Sequence, residues 1–256
     1  MSSSPHKQIT NQVISRIDRQ SVYVLHTYPF KETSLVVELF SKDFGRIAAV
    51  AKGARRPRSA MRGMLQSFQT LSGAWSGKNE LRILHSLDWS AGLLLLQGEA
   101  LMCGFYLNEL LLRLLPREDA HEKLFDYYTQ TLQTLVTAKD LANTLRKFEL
   151  TMLQELGYAV PLTHDENEME IDPELTYRYE ADYGANPSNA TFNATQNGIS
   201  LLGKTMLDMA HGDYSNTQTK IQSKQLMRYL LGHYLGDKPL HTRKLLIDFK
   251  DFENKQ

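Results

Sequence analysis

Between residues 21 and 89 the chain falls into five short runs of strand-forming residues, and at Trp89 that texture stops. The runs occupy 22–25, 35–40, 47–50, 68–75 and 81–84, with Gly45, Gly53, Gly73 and Gly77 as punctuation. Five short strands at this spacing suit a small closed barrel of the OB-fold type. A short sheet packed on later helices would show the same texture. Everything beyond Trp89 reads as mainly helical. The expected class is therefore α+β, with an OB-fold barrel domain over 1–92 and a mainly helical domain over 93–256.

The helical part has its own internal order. Leu101, Phe105, Asn108 and Leu112 share a face at helical spacing, and Pro116 stops that helix. A second helix fits 121–136 and a third fits 140–156, with Gly157 at its C′ position. Residues 160–183 then carry eight acids against the single base Arg178. Asn, Pro, Gly and Thr fill the stretch to 197. The segment at about 160–198 is expected to be an irregular insertion with one small hairpin. Helical periodicity returns over 200–211 and 221–235, and 238–249 suits a last amphipathic helix.

Charge supplies the first functional signal. The chain balances 29 Lys+Arg against 29 Asp+Glu, so any attraction to a polyanion has to come from placement. Residues 42–62 hold Lys42, Arg46, Lys52, Arg55, Arg56, Arg58 and Arg62 against the single acid Asp43. Gly53, Pro57 and Gly63 break this run into a mobile loop between strand-like segments. A cationic loop on a small sheet can grip a row of phosphates, or it can be a solubilising loop. Lys52, Arg55, Arg56, Arg58 and Arg62 are the candidate nucleic-acid-binding residues, with Arg243 and Lys244 near the C-terminal end as a second set.

Catalytic signals are sparse. Cys103, the single cysteine, excludes an internal disulfide and a multi-cysteine zinc site, and it sits among apolar residues as a core thiol. The eight histidines contain no pair at i, i+4, so no metal site and no cofactor are expected. The N-terminal residues lack the apolar core of a signal peptide, and the apolar stretch 93–115 carries too many polar groups to span a membrane. A cytoplasmic binding protein, not an enzyme, is the expectation. The competing reading is a nucleotide-hydrolysing enzyme. Residues 198–205 (GISLLGKT) meet the GxxxxGK[ST] spacing with Gly198, Gly203, Lys204 and Thr205. On the third long helix Leu145, Phe148 and Met152 face the core, pushing Arg146 and Lys147 toward the edge of an apolar surface. That arrangement suits an acidic-hydrophobic peptide, or an ordinary solvated helix face.

These segments, taken in order, resemble the bacterial RecO family of recombination and DNA-repair mediators. The resemblance rests on Tyr28-Pro29-Phe30-Lys31-Glu32-Thr33-Ser34-Leu35, on Phe44-Gly45-Arg46, and on Val50-Ala51-Lys52-Gly53-Ala54-Arg55. Further along it rests on Tyr106-Leu107-Asn108-Glu109-Leu110-Leu111, on residues 145–150 with Leu156-Gly157-Tyr158, and on residues 234–240 with Arg243. It implies binding of single- and double-stranded DNA through the OB-fold, annealing of complementary strands without nucleotide hydrolysis, and help in loading recombinase. The implied partners are RecR and the acidic C-terminal tail of single-stranded DNA-binding protein, with Arg146 in the tail-binding place. A nucleoid-associated location follows from the same likeness. Some family members hold zinc in the insertion with four cysteines. This chain has none there, so its insertion is expected to be held by packing alone.

Overall fold

The computed structural model describes residues 16–158, 160–187, 198–236, 239–242 and 245. Two compact units are present. One comprises the chain up to Ser41 together with Ile47–Gly92. The other comprises Lys42–Arg46 with the chain from Leu93 onward.

The first unit is a five-stranded closed barrel of β1 (Arg16–Phe30), β2 (Ser34–Ser41), β3 (Gly45–Ala51), β4 (Leu71–Ser76) and β5 (Leu81–Trp89), ordered β1-β2-β3-β5-β4. Closure comes from the length of β1, whose first part pairs with β4 (Arg16↔Ser76 to Val22↔Leu71) and whose second part pairs with β2 (Val22↔Ser41 to Phe30↔Ser34). Register shifts between Ile17 and Gln20 and between Val24 and His26 let one strand bend between two partners. β3 and β5 run parallel, from Ala48↔Leu81 to Ala51↔Leu84. Val22, Val24, Val37, Leu39, Leu71 and Trp75 are all essentially inaccessible, and Phe40 is buried with Tyr23 on the other face of its strand pair. A short helix, α1 (Ala60–Met64), interrupts what reads in the sequence as loop.

The second unit contains α2 (Gly98–Leu114), α3 (Glu122–Thr137), α4 (Leu141–Glu155), α5 (Gly203–Ala210) and α6 (Thr217–Leu235). The buried face of α2 is Cys103, Tyr106, Leu107, Leu110, Leu111 and Leu114, with Asn108 buried beside them. Phe105, read in the sequence as sharing a face with Leu101, Asn108 and Leu112, is 40% exposed. The buried Tyr128 hydroxyl donates to Asn108 Oδ1, which explains how an amide tolerates the core. α4 does bury Leu145, Phe148 and Met152. It ends in a Schellman turn at Gly157 (φ +82°), where Tyr158 N donates to Leu153 O at 2.9 Å and Gly157 N to Gln154 O at 3.0 Å.

The insertion is more regular than its composition suggests. β6 (Thr176–Glu180) lies between β7 (Gly184–Pro187) and β8 (Ile199–Leu202) in an antiparallel sheet. Residues 200–202, expected to be helical, are therefore strand. Ile171, Tyr177, Tyr179 and Leu201 are buried within it. Asp165 accepts hydrogen bonds from Asn167 N (2.8 Å) and Met169 N (3.0 Å), closing the turn before β6. Both sides of the sheet are occupied: Glu166 N donates to Ala185 O at 2.8 Å, and Leu202 N donates to Gln222 Oε1 at 3.1 Å. Among the described residues no helix is long and apolar enough to cross a membrane.

Candidate nucleic-acid and peptide interfaces

The cationic run 42–62 divides into two chemically different parts. Lys42 Nζ donates to both carboxylate oxygens of Asp126, at 2.8 and 2.9 Å, and Arg46 Nε donates to Leu115 O at 2.9 Å. These two cations serve the helical unit internally. Lys52, Arg55, Arg56, Arg58 and Arg62 are all exposed on the barrel unit. Among the described residues none of these five meets a carboxylate. Like charges held close together without counter-charge repel one another, and a bound anion relieves that cost.

The loop carrying them is a chain of hydrogen-bonded turns instead of the mobile connection its glycines and proline suggest. Arg56 N donates to Gly53 O (3.0 Å), Ser59 N to Arg56 O (3.1 Å), and Arg62 N to Ser59 O (3.2 Å). Ala54 is fully buried and pins the loop to the barrel. Arg55 ties it to the β1–β2 turn: its backbone N donates to Thr33 O (2.9 Å), and its Nη1 reaches Glu32 O (3.2 Å) and Lys31 O (3.4 Å). The remaining candidates, Arg243 and Lys244, lie outside the described residues.

Arg146 and Lys147 part company. Arg146 lines a groove of about 480 Å³ in the helical unit, together with the apolar Leu145, Leu231, Leu235, Pro239 and Leu240, the cations Lys220, Lys224 and Arg228, and the acids Glu99 and Asp140. Lys147 is not in the groove; its ammonium lies 5.8 Å from the centre of the Tyr214 ring. Arg146 is also already engaged. Its Nη1 is 2.5 Å from Glu149 Oε2, and the Glu149 side chain is 0% exposed. The other Glu149 oxygen accepts from Tyr106 Oη at 2.6 Å. A wholly buried carboxylate needs that counter-charge, so Arg146 is structural as well as groove-facing.

The residues missing from the sequence reading are on α6. Lys220, Lys224 and Arg228 recur every fourth residue, a spacing that places cations on one helix face. Apolar walls with a cationic rim are what an acidic-hydrophobic peptide requires. Lys220 Nζ bridges to Asp140 Oδ2 at 2.9 Å, and Asp140 also caps α4 by accepting from Asn143 N at 3.1 Å. The Lys220 hydrogen bond and then the Asn143 amide hold the Asp140 carboxyl below its ordinary value. A depressed carboxylate stabilises the fold above about pH 4, and that contribution is lost as pH falls through the lower folded value. Acid titration of the Asp140 carboxyl by NMR should therefore give a midpoint below that of a free aspartate. Lys220→Ala should move it upward.

The phosphate-loop match at 198–205 does not survive in three dimensions. Residues 199–202 are strand β8, leaving no loop to wrap a phosphate. Gly203 N donates to Leu175 O (2.8 Å) and Lys204 N to Pro173 O (3.0 Å), so amides that would cradle an anion are already used. Lys204 Nζ pairs with Asp208 at 3.0 Å, and Thr205 Oγ1 donates to Gln222 Oε1 at 2.6 Å. Gly203 is required for packing, because a Cβ there would collide with Asp172 O. The geometry therefore gives no support to the nucleotide-hydrolysing alternative.

Comparison with known proteins gives a consistent result. Residues 16–92 match the family described as Recombination protein O N terminal, and residues 95–244 match Recombination protein O C terminal. The DNA repair protein RecO of Nitrosospira multiformis is 52% identical over 236 residues, covering 92% of this chain and 97% of that protein. The DNA repair protein RecO of Dechloromonas aromatica is 49% identical over 240 residues, covering 93% and 98%. That of Aromatoleum aromaticum is 49% identical over 238 residues, covering 92% and 98%.

Proposed function

The chain belongs to the RecO family of DNA repair and recombination proteins, and from that premise we propose that it binds DNA through the barrel loop and acts as a recombination mediator without catalytic turnover. Lys52, Arg55, Arg56, Arg58 and Arg62 neutralise phosphates of single- and double-stranded DNA. Complementary strands brought together on this surface anneal, and recombinase is helped onto DNA coated with single-stranded DNA-binding protein. The helical groove takes the acidic tail of that coating protein. Its apolar walls accept the tail's hydrophobic side chains, while Arg146, Lys220, Lys224 and Arg228 face its carboxylates. RecR is the further partner, on the strength of the family alone, and the site of action is the cytoplasmic nucleoid.

The observation that carries this reading is five exposed cations on a hydrogen-bonded loop of a closed barrel, in a chain of zero formal net charge. The test is a salt titration of affinity for single-stranded DNA. Each phosphate contact adds about 0.7 to the log–log slope, so three to five contacts give a slope between about −2 and −3.5. Annealing of complementary oligonucleotides should proceed equally well without nucleotide. A slope near zero, or annealing that stops without ATP, would sink the proposal.

A further inference from the structure

β1 presents an aromatic row that the phosphate-binding loop does not explain. His26, Tyr28 and Phe30 alternate along the strand and therefore share one side of it. His26 is exposed, Tyr28 is 46% exposed, and Phe30 is partly exposed. The His26 ring stands edge-on to Tyr28, with centroids 4.5 Å apart and planes at 65°, which holds the tyrosine in one orientation. Lys31 Nζ lies 5.4 Å from the Phe30 ring centre. Across the strand pair Tyr28 faces Val36 and Phe30 faces Ser34.

This row runs directly into the cationic loop. The turn after Phe30, Lys31-Glu32-Thr33, is the one whose three carbonyls accept from Arg55. Ser34, opposite Phe30, accepts from Gly53 N at 3.4 Å through its Oγ. Rings and cations therefore form one continuous surface, with the aromatic row ending where the loop cations begin. The geometry points to His26, Tyr28 and Phe30 as a base-stacking platform for single-stranded DNA, with the loop arginines holding the phosphates of the same strand.

The choice of a single strand follows from spacing. Alternate residues on a strand are about 6.7 Å apart, roughly twice the 3.4 Å step between stacked bases of duplex DNA. Bases can match that row only when drawn apart, which a duplex does not allow. An aromatic ring offers a face to any base, so the platform is indifferent to sequence, as annealing of arbitrary strands requires. It also assigns a role to the Tyr-Pro-Phe-Lys motif, which phosphate contacts leave unused.

The inference rests on the barrel loop being the DNA site, and its test separates the two. Tyr28→Ala in the full chain should lower affinity for an oligo(dT) strand about tenfold. The salt slope and the affinity for a duplex of equal length should stay as they were. Tyr28→Phe should restore binding, because it keeps the ring. Irradiation of the unaltered protein with an oligonucleotide carrying 5-iododeoxyuridine should crosslink the 26–30 segment, an outcome independent of how any variant folds. Undiminished oligo(dT) binding by Tyr28→Ala would overturn the platform, as would equal loss on strand and duplex, or crosslinks mapping elsewhere. The loop reading has its own failure, arginine variants that leave the salt slope unchanged.

Discussion

Replacing Arg55, Arg56 and Arg58 together with alanine is expected to flatten the salt dependence of single-stranded DNA binding by about two log–log units, three contacts at about 0.7 each. With both lines extrapolated to a common affinity at about 1 M salt, that change is roughly a hundredfold weaker binding at 0.1 M. The three positions are not equivalent. Arg56 and Arg58 are simply exposed, whereas Arg55 also holds the β1–β2 turn through Lys31 O and Glu32 O. The Arg56→Ala, Arg58→Ala double variant isolates the charge effect, and the triple adds loss of loop order. Filter binding across a salt series, with circular dichroism to check folding, measures both. An unchanged slope would move the DNA site off this loop, with Arg243 and Lys244 the next residues to test.

The second large effect is expected at Arg146, and it should appear in stability before it appears in binding. Arg146→Ala removes the counter-charge of the fully buried Glu149 carboxylate, which accepts from the Tyr106 hydroxyl on its other oxygen. Removing one partner of a buried pair costs about 3–5 kcal/mol. The low end applies here, since 17% of the Arg146 side chain is in solvent. Urea denaturation should show this loss, and Glu149→Gln placed on top of Arg146→Ala should recover much of it by removing the stranded charge. Tail-peptide affinity should also fall, by about 1.5–3 kcal/mol, the range for hydrogen bonds to charged groups. Because that variant mixes two effects, Lys224→Ala with Arg228→Ala is the cleaner probe of the groove. Both are exposed on α6, so stability should move by less than about 0.5 kcal/mol while the peptide binds more weakly. Undiminished peptide binding by that double variant would take the tail away from this groove.

How much of this the sequence displays depends on whether a feature is local. The barrel strands announce themselves through β-branched runs bounded by glycines, and Gly157 marks the end of α4 from composition alone. The first third of β1 is silent, because Arg16-Ile17-Asp18-Arg19-Gln20 is mostly polar and mostly exposed, so no alternation of burial is written there. β8 is silent for a different reason: Ile199-Ser200-Leu201-Leu202 is too short an apolar run to distinguish strand from helix. On α2 the apolar residues cover more of the circumference than the core requires. Only packing shows that Tyr106 and Leu110 face inward while Phe105 does not. The candidate sites follow the same division. The loop cations are contiguous and visible. The groove is assembled from α2, α4 and α6, so the Lys220, Lys224, Arg228 stripe carries no message until the helices are packed. Arg146 and Glu149 stand three residues apart, a recognisable helical pair, yet nothing in the sequence says that the glutamate is wholly buried.

A closed barrel has one property that bears on how copies of the same chain meet. An open sheet exposes unpaired amides and carbonyls along its margin, and neighbouring copies can zip together there. Here β1 joins β4 and the ring has no margin. The small sheet of the insertion does have two flanks, but Glu166 N donates to Ala185 O on one, and Gln222 Oε1 accepts from Leu202 N on the other. Neighbouring copies of the chain therefore find little free strand margin among the described residues along which to pair sheet to sheet.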